Sequence, residues 1–103
     1  MPIKALAGLA LLLLAAALPA MAAEPLRIGF SCEETGGSAA SGRQFLLTAQ
    51  IWADRINKQG GLLGRPVELI HYDDQSNPAL VPGIYTKLLD VDKVDLIVAS
   101  GTN

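Results

Sequence analysis

Downstream of residue 25 the apolar positions alternate between two rhythms. Leu26-Arg27-Ile28-Gly29-Phe30 is short and rich in β-forming residues, and it reads as a first strand buried on both faces. Ser31 to Ser41 is a loop of small and polar residues. From about Gly42 to Gln59 the period lengthens. Phe45, Ala49, Trp52 and Ile56 form one apolar helical stripe, while Arg43, Gln50, Asp54 and Lys58 lie off it. Ser41 is the expected N-cap, and Trp52 reads as core. Gly60-Gly61 stops the helix, because glycine takes positive φ without a Cβ penalty. Leu62-Leu63 packs the corner, Gly64 turns the chain, and Pro66 stands at a strand start.

Val67 to Tyr72 is the second strand, with Val67 and Leu69 on one face and Glu68 and Ile70 on the other. Asp73-Asp74-Gln75-Ser76-Asn77-Pro78 leads into a second helix, with Asn77 as N-cap and Pro78 at the first helical position. Pro82 and Gly83 weaken the start of that helix. It is secure from Ile84 to Leu89, and either kinks or begins at Val81. Ile84, Leu88 and Val91 make its apolar face, and Lys87 and Lys93 fall late, as the helix dipole favours. Val94 to Ala99 is a third strand, followed by Ser100-Gly101-Thr102-Asn103.

This is a β-α-β-α-β chain of the α/β class. Two successive right-handed crossovers with helices on opposite faces give a parallel sheet of order 2-1-3. A crevice then opens at the carboxyl edge between strands 1 and 3. Its flanking loops are Ser31–Ser41 and Ser100–Asn103. Both offer hydroxyls, glycines and backbone N–H groups suited to a small polar or anionic ligand.

The first residues follow another pattern. Lys4, the uncharged apolar run Ala5–Ala17, Pro19 and Ala20-Met21-Ala22 make a secretory signal peptide over residues 1–22, cleaved after Ala22 or Ala23. The run is too short to span a membrane. Without Lys4 the rest carries seven basic and ten acidic side chains and no basic cluster, which argues against a nucleic-acid partner.

Little here points to chemistry. Cys32 is the only cysteine and reads as a free thiol in the loop; a bridge to a cysteine beyond residue 103 stays open. His71 has no second histidine or cysteine beside it and reads as solvated or hydrogen-bonded, not as a metal ligand. Asp73 and Asp74 lack the spacing of a calcium loop. No dinucleotide, P-loop, nucleophile-elbow or zinc-protease motif occurs. The expectation is binding, with no catalytic residues, metal or cofactor.

Several runs then resemble a known family. They are Ile28-Gly29-Phe30-Ser31, Thr35-Gly36, Ile56-Asn57-Lys58-Gln59-Gly60-Gly61-Leu62-Leu63-Gly64-Arg65-Pro66-Val67-Glu68-Leu69, Tyr72 to Pro78, and Lys93-Val94-Asp95-Leu96-Ile97-Val98. In this order they resemble the N-terminal lobe of periplasmic substrate-binding proteins of ABC transporters, the branched-chain amino-acid type above all. The resemblance implies a type I binding-protein fold, with ligand clamped between two lobes. Residues 23–103 would then be part of the first lobe, with the rest absent and the third strand left as an open apolar edge. Such a fragment is expected to fold poorly alone and to bind weakly or not at all.

The resemblance further implies a small-molecule ligand (an amino acid or analogue), an ABC permease in the inner membrane as partner, and a periplasmic address. Carried over, the ligand-binding residues are Ser31, Thr35, Gly36, Gly37 and Ser38, then Ser100, Gly101 and Thr102. Asp73 and Asp74 match an acidic loop of structural role. Cys32-Glu33-Glu34 replaces the usual Gly-Pro, and its two carboxylates would favour a cationic group. The alternatives are a ligand-sensing domain of a receptor or amide-responsive regulator, and a non-functional truncated product.

Overall fold

The computed structural model of the chain describes residues 23–101. The signal peptide over residues 1–22 and the predicted site residue Thr102 lie outside the described residues. Strand β1 (Leu26–Cys32) leads to helix α1 (Ala39–Lys58), strand β2 (Val67–Asp73), a 3-10 turn (Pro78–Leu80), helix α2 (Val81–Asp90) and strand β3 (Leu96–Val98). The sheet is parallel throughout, in the order β2-β1-β3. Central β1 pairs with β2 from Leu26 opposite Val67 to Cys32 opposite Asp73, and with β3 from Ile28 opposite Leu96 to Phe30 opposite Val98.

Alternation along β1 places the helices. Ile28 joins Ala53 of α1 and Val67 of β2 in the core, with Ile56, Leu62 and Leu69 packed against it. Phe30 meets Phe45 of α1 edge-on at 5.3 Å. The intervening Gly29 faces Leu88 of α2, which is fully buried, so the two helices cover opposite faces. Among the described residues no helix is long and apolar enough to cross a membrane.

Several boundaries move. β1 runs on through Ser31 and Cys32, so both are strand residues, not loop residues. α1 begins three residues before Gly42, with Ser38 and not Ser41 at its N-cap position and no side-chain capping bond. Gly42 is thus inside the helix and carries a different duty. A Cβ there would lie 1.9 Å from the Glu33 carbonyl oxygen, so glycine is what lets α1 lie against the end of β1. The Cys32 thiol, wholly buried, donates to the Gly42 carbonyl at 3.0 Å.

The Gly60-Gly61 stop is as read. Both have positive φ, Gly61 N–H returns to the Ile56 carbonyl and Gly60 N–H to that of Asn57, the pattern of a Schellman end. Asn57 then reaches Val67, accepting from its N–H at 2.7 Å and donating to its C=O at 2.9 Å. Only Leu62 packs at the corner. Leu63 is 85% exposed, because its own φ of 54° turns it outward in the Leu62–Arg65 turn. Asn77 caps the 3-10 turn by accepting from Ala79 N–H, and α2 proper starts at Val81.

β3 is three residues long where six were expected, and Leu96, Ile97 and Val98 are each 41–50% exposed. No strand among the described residues covers its outer side. Trp52 shares the consequence. It lines an apolar hollow of 170 Å³ with Phe30, Phe45 and Val98, yet stays 39% exposed where a core residue was expected. Val91 is also exposed, at 68%, because it caps the end of α2 instead of sitting on its packed face.

Candidate ligand-binding site

The order 2-1-3 puts a topological switch between β1 and β3, and a cleft lies there, beside their carboxyl ends. It has a volume of 320 Å³ and is lined by Ser31 of β1, Val81 and Tyr85 of α2, and residues 97–100 at the end of β3.

Ser31 is the knot of this edge. Its hydroxyl donates to Asp74 Oδ2 at 2.8 Å. Its N–H donates to the Tyr85 hydroxyl at 3.3 Å, and its C=O accepts from the Ser100 hydroxyl. The residue is 2% exposed, so its side chain is committed inward to Asp74, itself fully buried. Ser31 and Ser100 are therefore the two predicted positions that the fold joins directly on the cleft. Gly101 lies near the buried Glu33, whose Oε1 would stand 3.6 Å from a Cβ built there.

Thr35, Gly36, Gly37 and Ser38 form a separate group, and none of them lines the cleft. They are tied to the loop after β2. Asp73 accepts from the N–H groups of Glu34, Thr35 and Gln75 and, at 2.6 Å, from the Thr35 hydroxyl. The Thr35 hydroxyl, followed by these N–H groups, holds the Asp73 carboxyl below its ordinary 3.8. The Ser76 hydroxyl donates to the Thr35 carbonyl and accepts from Ser38 N–H. Gly36, at φ +88°, runs so close that a Cβ would meet the Gln75 carbonyl at 2.5 Å. Gly37 meets nothing and is exposed. Gln75 and Ser76 both take left-handed backbone, and bonds from their N–H groups to Asp73 and Asp74 hold them there. The acidic pair is thus a brace between two loops.

The other singled-out residues are accounted for by local contacts. The Glu34 carboxylate lies 3.2 Å from His71 Nδ1, and His71 stacks on Phe30. Burial, then the nearby Glu34 and Glu33 carboxylates, push the Cys32 thiol from 9.0 up to about 11. Among the described residues no group of three or more His, Cys, Asp and Glu side chains could hold a metal ion.

Sequence reasoning missed Tyr85 and the apolar wall of Val81 and Ile97. The signal was weak but present: Val81, Tyr85 and Leu88 recur at four and three residues, a helix face overlapping the one read from Ile84.

Comparison with known proteins bears on this edge. The model of the periplasmic binding protein family matches residues 25–103. The chain belongs to that family. An amino acid binding protein of Pseudomonas aeruginosa is 32% identical over 71 residues, which are 69% of this chain and 19% of the relative. Among solved structures, a branched-chain amino acid ABC transporter protein from Silicibacter pomeroyi is 39% identical, with a TM-score of 0.70 over 74% of this chain and 19% of that one. The branched-chain amino acid transporter substrate-binding protein LivJ from Streptococcus pneumoniae, solved with isoleucine, is 34% identical, with a TM-score of 0.71 over 75% and 22%. A fatty acid ABC transporter substrate-binding protein from Thermomonospora curvata is 26% identical, with a TM-score of 0.67 over 77% and 20%. The chain spans about a fifth of the length of these periplasmic binding proteins and transporter proteins. Its fold is the matching part of a type I binding-protein domain. The similar proteins are named for binding and transport.

Proposed function

We propose that this chain is part of the solute-binding component of an ABC importer, which captures an amino acid or similar small polar molecule outside the cytoplasm for an inner-membrane permease. On this reading residues 1–22 direct export, and residues 23–103 belong to the first of two lobes. The observation that carries the reading is the meeting of Ser31 and Ser100 on one cleft at the β1–β3 switch, in a chain of this family. Ser100, Gly101 and Thr102 would offer N–H groups and the Thr102 hydroxyl to the ligand's carboxylate, while the Ser100 hydroxyl, donated to the Ser31 carbonyl, would hold that loop in place. Thr35, Gly36, Gly37 and Ser38, braced on Asp73 and Ser76, would form the neighbouring rim. Ser31 would act through the loop it anchors, since its hydroxyl serves Asp74. The Glu34 carboxylate beside His71 weakens the case for a cationic ligand.

The test is calorimetric titration of the full exported protein bearing this sequence, with L-isoleucine and the other standard amino acids in turn. Saturable binding of at least one, weakened roughly threefold to tenfold by Ser100→Ala, is the expected result, since that variant removes the hydrogen bond holding the loop to the Ser31 carbonyl. Failure of every amino acid to bind overturns the reading.

A further inference from the structure

We infer that Tyr85 is a positioning residue for the candidate site: its hydroxyl ties the end of β1 to the end of β3 and so presets the loop that carries Ser100. The inference rests on the reading above for its link to binding, but its geometry stands apart.

The β1–β3 pairing closes with Phe30 opposite Val98. At that last rung the Tyr85 hydroxyl accepts from Ser31 N–H at 3.3 Å and donates to the Val98 carbonyl at 2.6 Å. A phenol has one O–H and free lone pairs, so it can serve a donor on one strand and an acceptor on the other at once. Tyr85 comes from one turn inside α2, whose start lies at Val81, and its ring walls the cleft. One side chain thus couples a helix to two strand ends. The Ser100 hydroxyl adds a second tie, to the Ser31 carbonyl, just past the end of β3.

The arrangement has a physical use. β3 is short and exposed, so little else restrains residues 98–101. A loop that must be ordered when the ligand arrives subtracts that ordering from the affinity, whereas a loop already held does not. Tyr85→Phe keeps the ring and its packing and removes only the two hydroxyl bonds. Tyr72→Phe is the matched control. It removes the other described tyrosine hydroxyl, which donates to Asp92 at 2.7 Å and does not touch the cleft.

Both variants would be made in the full exported protein and compared with wild type. Amide hydrogen exchange would be followed by mass spectrometry over peptides covering residues 29–33 and 97–101. Affinity for L-isoleucine, or for whichever amino acid wild type binds best, would be measured alongside thermal stability. Tyr85→Phe is expected to speed exchange of both peptides roughly threefold to tenfold and to weaken binding by a similar factor, as loss of one or two hydrogen bonds predicts. Tyr72→Phe is expected to leave both unchanged even where its melting temperature falls equally. Unchanged exchange in Tyr85→Phe overturns the inference, as does faster exchange with unaltered affinity. If wild type binds no amino acid, the functional reading fails, and the exchange result by itself then upholds or overturns the tie.

Discussion

Two residues show how burial and hydrogen bonding set chemistry at this sheet edge. Asp73 is a carboxylate whose value is its four acceptor bonds, and its ionised form is favoured in the folded state. Because its folded pKa lies below the ordinary 3.8, its contribution is complete above that value and is lost as pH falls through the lower folded one. Asp73→Asn should therefore be less stable than wild type at neutral pH, with the gap closing below about pH 4. Urea midpoints measured across the acid range check this; a gap that persists undiminished at pH 2 would exclude it. Cys32 behaves the opposite way. Its neutral thiol is favoured in the fold, so stability from this residue is full below pH 9.0 and declines as pH rises toward about 11. In the native protein at pH 8 it should resist a thiol reagent, and it should react fully in urea. Rapid labelling of the folded protein would contradict its burial. Neither behaviour was legible beforehand. Asp73 and Asp74 were read as structural, but their partners Thr35 and Ser31 lie some forty positions away in the chain.

At the level of elements, two contacts set how α1 meets the sheet. Gly42 allows the helix to touch the backbone of Glu33. Gly42→Ala should cost about 3 kcal/mol, as overpacking against rigid backbone does, although alanine is the better helix former. Chemical denaturation of the full protein measures it, and a stabilised variant would rule out the close approach. At the far end Asn57 holds both backbone groups of Val67. Asn57→Ala should cost about 1–3 kcal/mol, two hydrogen bonds' worth, with the local exchange of Val67 rising first. The glycine stop and most of the stripe of α1 (Phe45, Ala49 and Ile56) are legible because both are local, a φ requirement and a period within one segment, whereas the burial of Ala53 in place of Trp52 is set by the sheet. The N-cap was misplaced by three residues, since Ser38 and Ser41 are equivalent by propensity. What decides between them is where β1 releases the chain, and that depends on pairing with β2.

For the whole molecule the decisive feature is the third strand. Leu96, Ile97 and Val98 are about half exposed on a strand whose outer edge no strand among the described residues covers, and Trp52 stands open beside them. Residues 23–103 produced alone should bind a hydrophobic dye, associate through this edge and unfold without a cooperative transition. Dye fluorescence, light scattering and near-ultraviolet dichroism during a urea titration would show it. A sharp monomeric transition would mean that three strands and two helices suffice.

By itself, the sequence determined the element order and the α/β class and, once the two helices are put on opposite faces, the strand order 2-1-3 with a carboxyl edge between β1 and β3. These follow from hydrophobic period, turn chemistry and the handedness of crossovers, all rules of local or topological range. Only the tertiary structure decided what each polar group at that edge does. It turned Ser31 inward to Asp74, spent Thr35 and Ser38 on the brace to the second loop, and brought Tyr85 to the last rung between β1 and β3. A hydroxyl binds whichever partner the fold places within about 3 Å, and no pattern along the chain encodes that distance.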